Sequence, residues 1–361
     1  MYCEKLYLCK VGKIEPMNRT RIFFWLAVML TGTGFRAAAQ DVHFSQYYAN
    51  PVYLNPALAG TYICPRVVTN FRQQWPTLSG KYTSYSASYD QYFAKLSGGI
   101  GVLFLGDHAA GTGHITTHSV SVSYSFRANL THDKKAALLV ALQGTCQQKR
   151  LDFNKLTFAD MIDPKYGFVY RTNENLPTYT KVIADFSAGI AFYSEHYYGG
   201  VAVNHFTQPR ESFFDNKGKE TRLPIKMTAH FGAMIDIKQA QRMERTLGDV
   251  AISPNIIFQY QSRFTGGAVY TTLNYGTYFS FYPMTVGVWF RQGFDYMDAA
   301  IFSVGLELQK ILKIGYSYDF TIPSNKIAKP LTGGSHEVSA QFYFRCPERS
   351  TRIPHLDCPR F

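Results

Sequence analysis

This chain lacks any apolar run long enough for a membrane-spanning helix, which needs about 20 consecutive residues, and even its one markedly apolar stretch, near the amino end, is too short. Cysteine is scarce, at six in 361 residues. Basic residues exceed acidic ones, but no clustered Lys/Arg run accompanies the excess, and scattered single charges are the pattern of solvated loops and not of a nucleic-acid surface. Catalytic signatures are missing as well. There is no Gly-x-Ser-x-Gly elbow, and His336-Glu337 is followed by Val338-Ser339-Ala340 with no second histidine to complete a zinc helix. The run Gly106-Asp107-His108-Ala109-Ala110-Gly111-Thr112-Gly113-His114 contains a Gly-x-Gly and two histidines. A strand pattern follows it where a phosphate loop requires a helix, and no third ligand sits at metal spacing, so it reads as a surface loop. No enzyme, cofactor or metal is expected.

The exceptional stretch is the leader. Asn18-Arg19-Thr20-Arg21 precedes apolar Ile22-Phe23-Phe24-Trp25-Leu26-Ala27-Val28-Met29-Leu30, and small Ala37-Ala38-Ala39 follows. Basic, apolar, then small is the order of a secretory signal. Residues 1–39 are therefore expected to be a signal peptide with an over-extended start, Met17 being the expected true start, and cleavage is placed near Ala39/Gln40. Removing those 39 residues leaves 322, and lowers Lys plus Arg from 37 to 31 and Asp plus Glu from 25 to 23, a net charge of +8. Cys64, Cys146, Cys346 and Cys358 remain. Export permits disulfides; Cys346 and Cys358, bracketing a short tail, are the candidate pair, with two free thiols as the alternative.

What the chain has in quantity is aromatic side chains, 16% of residues, and a period of two. Ser119, Ser121, Ser123 and Ser125 alternate with Val120, Val122, Tyr124 and Phe126. Ala184, Phe186, Ala188, Ile190 and Phe192 alternate with Asp185, Ser187 and Gly189. The same dyad runs through Phe302–Gln309, Ile314–Phe320 and Glu337–Arg345. Strands are expected near 66–73, 82–90, 98–106, 115–127, 135–147, 182–193, 197–205, 226–238, 253–263, 268–281, 284–291, 298–309, 312–320 and 336–345. Fourteen is an even number, as a bacterial single-chain barrel requires, and many of the runs reach the nine to eleven residues that cross a bilayer.

Connection lengths alternate by parity. Even-numbered connections such as 194–196, 282–283 and that at Lys310 are short, whereas odd ones include 148–181, 206–225 and 321–335; 239–252 is the exception. Barrels of outer membranes have short turns at one end and long loops at the other. The polar face carries Ser, Thr, Gly, Gln and single acids such as Asp185, Asp236, Glu307 and Asp319. Those charges must pair within an enclosed lumen, with bases such as Arg291 or Lys313. The expected fold is all-β, a transmembrane antiparallel β-barrel of about 14 strands over 66–345, preceded by an N-terminal segment 40–65 that lies in the periplasm or folds into the lumen as a plug, and followed by a tail 346–361.

Gln40-Asp41-Val42-His43-Phe44-Ser45-Gln46-Tyr47-Tyr48-Ala49-Asn50-Pro51-Val52-Tyr53-Leu54-Asn55-Pro56-Ala57-Leu58-Ala59-Gly60-Thr61 closely resembles the opening of the PorP/SprF family, membrane proteins linked to type IX secretion and gliding motility in Bacteroidetes. Leu151–Pro164, the aromatic hairpin ending near Trp289, and Gly334-Ser335-His336-Glu337-Val338-Ser339 are similar to that family too. The resemblance implies a barrel like the fatty-acid-transporter class, residing in the cell outer membrane. It would assist secretion or surface anchoring of exported proteins such as adhesins, with type IX secretion components, a secreted surface protein and outer-membrane lipid as partners. A channel or transporter for hydrophobic or small solutes is the alternative. The tail beyond Cys346 departs from barrels that stop at an aromatic residue.

Phe44, Tyr47, Tyr48, Asn50, Pro51, Tyr53, Leu54, Asn55 and Pro56 are too apolar for a free tail, and the two Asn-Pro pairs start turns and preclude a regular helix. They make either a segment that plugs the barrel or docks a partner, or a signature needed only for folding.

Overall fold

The structure is a computed structural model. It describes residues 41–344 except 79, 110–113, 132–135, 153–155, 157, 164, 171, 173–178, 212, 214–221, 239–248, 263–269, 294–296, 310 and 323–332. The expected Cys346–Cys358 pair, the leader and the tail lie outside the described residues.

Fourteen antiparallel strands close into a barrel: β1 (Arg66–Gln74), β2 (Tyr82–Phe93), β3 (Gly98–Ala109), β4 (Ile115–Asn129), β5 (Ala137–Leu151), β6 (Tyr179–Tyr193), β7 (Tyr197–Asn204), β8 (Ile225–Ala233, resuming as Ile235–Lys238), β9 (Val250–Ser262), β10 (Tyr270–Phe281), β11 (Met284–Gly293), β12 (Met297–Leu308), β13 (Leu312–Thr321) and β14 (Ser335–Tyr343). Each strand pairs with its sequence neighbour, and β1 pairs with β14 from Arg66↔Tyr343 to Gln74↔Ser335, which joins first to last. Full closure removes the unpaired edges that hydrocarbon would not tolerate. Fourteen strands are obtained because the break at Met234 interrupts one strand and does not start another: both of its halves pair with β9.

Why these residues make a barrel is visible in which face is covered. Along β4 the serines are buried while Val120, Val122, Tyr124 and Phe126 are exposed. Along β6, Asp185 and Ser187 are buried, and Val182, Phe186, Ile190 and Phe192 are exposed. Similarly Ser303, Ser317, Asp319, Glu337 and Ser339 point inward while Phe302, Tyr316, Phe320, Val338 and Phe342 point outward. A water-soluble protein buries its apolar face. Here the polar face is enclosed and the aromatic face forms the outer belt, an inversion that suits hydrocarbon outside and a packed polar lumen inside.

The connections sort as the alternation requires. Both the beginning of β1 and the end of β14 lie at one end of the barrel, together with the short turns around 94–97, 194–196, 282–283 and 309–311; this is the terminus end. The long connections after β5, β7 and β13 leave their strands at the opposite, loop end. Within the first of these, Ile162–Asp163 pairs with Gly167–Phe168 as a small ribbon. Asp236, expected in the lumen, keeps the inward register opposite buried Ala251, but it is exposed because it stands at the terminus end, where the pairing becomes irregular between Asp236 and Lys238.

Candidate functional site: a lumen filled by the amino-terminal segment

Residues 41–65 run through the barrel interior, from the loop end down to the start of β1. Sequence explains their local shape. Tyr47–Ala49 is a single 3-10 turn, Pro51–Leu54 one α turn, and Pro56–Leu58 another 3-10 turn. Each proline sits at the first position of its turn, where its fixed φ is pre-set for helix and its missing N–H costs nothing. Asn55 caps the last turn: its side-chain oxygen accepts from the Ala57 amide at 2.9 Å. Three short turns with kinks between them follow one another through the lumen, and nearly all of their residues are buried.

The middle of the segment makes a small aromatic core inside an otherwise polar lumen. Tyr47, Tyr48, Leu54 and Leu58 pack against Tyr193, Tyr198, Ile257, Tyr278, Trp289 and Ile301 of the wall. Tyr47 and Tyr48 lie 5.5 and 6.3 Å from the Trp289 ring, and Tyr48 meets Tyr198 edge-on at 5.7 Å. Phe44, Asn50, Pro51, Asn55 and Pro56 are buried as well, and Tyr53 is half-buried. All nine residues singled out from the sequence therefore face the lumen, none the outer belt.

Polar anchors hold the segment at three heights. Nearest the loop end, His205 stands between two carboxylates, with Nδ1 2.7 Å from Asp185 and Nε2 2.9 Å from Asp41. Thr207 donates to the other Asp185 oxygen at 2.9 Å, and Lys226 lies 3.5 Å from Asp41 and 5.0 Å from the Tyr53 ring centre. Burial alone would raise the Asp41 carboxyl, but His205 and Lys226 outweigh it and hold it well below the ordinary carboxylate range. Burial also opposes charge on His205, yet Asp41 and then Asp185 raise it to about 10, so the imidazolium is the neutral-pH form.

Slightly lower, Glu337 of β14 accepts from the Ser45 and Gln46 amides at 2.6 and 3.1 Å. The Ser45 hydroxyl donates to Asp319 at 2.7 Å and also meets Arg72 of β1. Arg72 bridges Asp319 at 2.8 Å and Glu337 at 3.2 Å, and Arg291 joins Asp319 at 3.2 Å and Asp298 at 2.6 Å. Isolated charges could not be held in such a place; each is paired. Burial, and then the cations Arg291, Arg72 and Lys226, push the neighbouring His43 imidazole well below its ordinary value, so it is neutral.

At the terminus end, Arg66 grips Asp90 with two parallel bonds of 2.9 and 2.8 Å, and the Gly60 amide donates to the same carboxylate at 2.8 Å. Gly60 has φ +70°, and a Cβ there would stand 2.5 Å from Gly99 Cα. Glycines of the wall form a matching notch: a Cβ on Gly99 would meet Ala59 O at 2.2 Å, and one on Gly189 would meet Asn55 Oδ1 at 2.1 Å.

Arg291 and Lys313, expected as inward partners for lumen acids without assigned pairs, meet Asp319 at 3.2 Å and Glu307 at 3.5 Å respectively. Asp41, Arg66, Arg72, Asp90, His205, Lys226 and Glu337 were not expected as anchors; their signal was a charge at an inward register position, or, for Asp41 and His205, none. Among the described residues no group of three or more His, Cys, Asp or Glu could hold a metal ion. Cys146 is a free, exposed thiol on β5, and Cys64 is disulfide-bonded.

A profile of the type IX secretion system membrane protein PorP/SprF matches residues 36–342. The chain belongs to the PorP/SprF family. Comparison with curated protein sequences gave no match. Among solved structures, the CymD monoaromatic hydrocarbon channel is similar at TM-score 0.45 and 10% identity, over 86% of this chain and 95% of that one. A Pseudomonas aeruginosa FadL homologue gives 0.41 and 10% over 79% and 91%, and Acinetobacter baumannii Omp33 gives 0.40 and 9% over 79% and 100%. By its family, and by its own closed wall with an outward apolar belt, this PorP/SprF protein is a type IX secretion membrane component built as an outer-membrane barrel.

Proposed function

We propose that this PorP/SprF barrel is a non-catalytic accessory of type IX secretion that helps retain or display a secreted surface protein, such as an adhesin, at the outer membrane, in a machinery also serving gliding motility. Its leader is removed near Ala39/Gln40, and the loop end faces the cell exterior. The observation that carries the reading is the filled lumen: the family's hallmark segment is spent on occluding the barrel, with three separate polar anchors. A barrel so sealed is suited to present surfaces more than to pass solutes. Its long loops offer exposed aromatic side chains, Tyr166, Phe168, Tyr170 and Phe206 among them. Within this reading the segment from Phe44 to Pro56 acts as a plug that rigidifies the barrel for docking.

Deletion of residues 40–60 separates the possibilities. The expected result is a barrel that inserts but conducts ions and retains less of the exported protein at the surface. Normal surface display by the inserted, truncated barrel would overturn the plug's part in docking. Steady ion-conducting pores from the intact protein in planar bilayers would favour the solute-channel alternative.

A further inference from the structure

The barrel wall has one uneven place. β6 has 15 residues, all paired with β5, but β7 has eight and pairs only with Ala188–Tyr193 of β6. The upper part of β6 therefore rises at the loop-end rim with its β7-side edge uncovered by β7. The Phe206 amide donates to the Phe186 carbonyl at 3.0 Å, which fixes the parity: even-numbered residues of β6 present their backbone groups to that side. Above Phe186 these are Ala184, Val182 and Thr180, and among the described residues nothing bonds to their edge-facing amides and carbonyls. The side chains there are open too, Val182 being 65%, Phe186 59% and Phe206 69% exposed. An uncovered strand edge is a template for another strand.

Charge narrows what fits. Arg150 lies opposite Thr180 on β5, and Arg210 bridges Arg222 at the stem of the neighbouring connection. All three are exposed and lack an ion pair among the described residues. Among the described residues the nearby acids are engaged: Glu211 with Lys149 at 2.7 Å, and Asp185 with His205. We infer that the rim edge of β6 at Thr180–Ala184 accepts an extended acidic segment of a partner protein by strand addition, its carboxylates meeting Arg150, Arg210 and Arg222. This deepens the docking reading above and rests on it. Backbone bonds supply affinity in such pairing, and flanking side chains supply specificity.

The test uses the purified full-length barrel in detergent and a fluorescein-labelled peptide of alternating Val and Glu, about ten residues long, the upper range for a strand. Anisotropy titration is expected to show saturable binding. A version methylated on alternate backbone nitrogens, and a Val/Lys version, are expected to bind at least about tenfold more weakly. Ala184→Pro removes one edge amide without touching the β5 ladder, as an edge strand tolerates, and should abolish binding; Arg150→Glu should weaken it. Heat-modifiable gel migration checks that each variant is folded. Should Ala184→Pro fail that check, Val182→Cys on a Cys146→Ser background is used with a peptide bearing a pyridyl-disulfide-activated cysteine, where capture by thiol–disulfide exchange with release of the pyridinethiol is expected. Equal binding of the methylated peptide, unchanged binding to Ala184→Pro, or no binding or capture of the Val/Glu peptide would each overturn the inference. The broader reading fails separately: it is lost if a gene deletion leaves surface display intact even though the peptide binds.

Discussion

Asp90 shows how much rests on single side chains. It is fully buried and neutralises Arg66 while accepting from Gly60. Asp90→Ala would strand a buried guanidinium, an effect of about 3–5 kcal/mol, and the folded fraction in a heat-modifiability gel should shift to lower temperature. His205 is the pH-sensitive member. Its folded pKa of about 10 lies above the ordinary 6.5, so its contribution is complete below pH 6.5 and fades as pH rises through about 10. Asp41 is depressed from 3.8, so its contribution is present above that value and is lost as pH falls. The loop-end anchor is thus firmest between those limits. Protease accessibility of residues 41–60 should be lowest near pH 5–6 and rise toward pH 10, and His205→Ala should flatten the alkaline rise. The sequence showed Asp185, Arg291 and Asp319 as inward charges because each falls on the polar parity of its strand. Asp41 and His205 lie outside the strands, where no period marks a direction, and their meeting across 164 positions had no sequence signal.

At the scale of elements, strand and segment are shaped for each other. The notch of Gly99 and Gly189 admits Ala59 and Asn55 only because no side chain stands there. Gly189→Leu should force the segment from the lumen while leaving β6 paired, since the substitution adds a side chain on the lumen face and keeps the backbone groups that pair Gly189 with Ala141 of β5. Single-channel recording would then show ion flow that the parent lacks, and an unchanged closed barrel would refute the fit. The strands were legible almost in full, because every one buries one parity of its residues. The Asn50-Pro51 and Asn55-Pro56 pairs were legible as turns; that the prolines open short helical turns became clear only from the space they fill. The Met234 break was hidden, since both halves keep an apolar character.

For the whole molecule, the outward belt makes a demand on solvent. Val122, at 54% exposure, lies midway along β4. Val122→Lys should lower insertion stability by about 2–4 kcal/mol if it sits at the bilayer midplane. Urea titration of the barrel in lipid vesicles measures this, and no change would argue against a hydrocarbon-facing belt.

Ser45 touches Arg72 of the first strand together with Asp319 and Glu337 of the last two. The joint that closes the cylinder is also the rivet that fastens its stopper. Traction on the amino-terminal segment, once the Asp41 anchor has given way, is therefore delivered to the β1–β14 seam. A machine that tugs on this chain would loosen plug and seam as one.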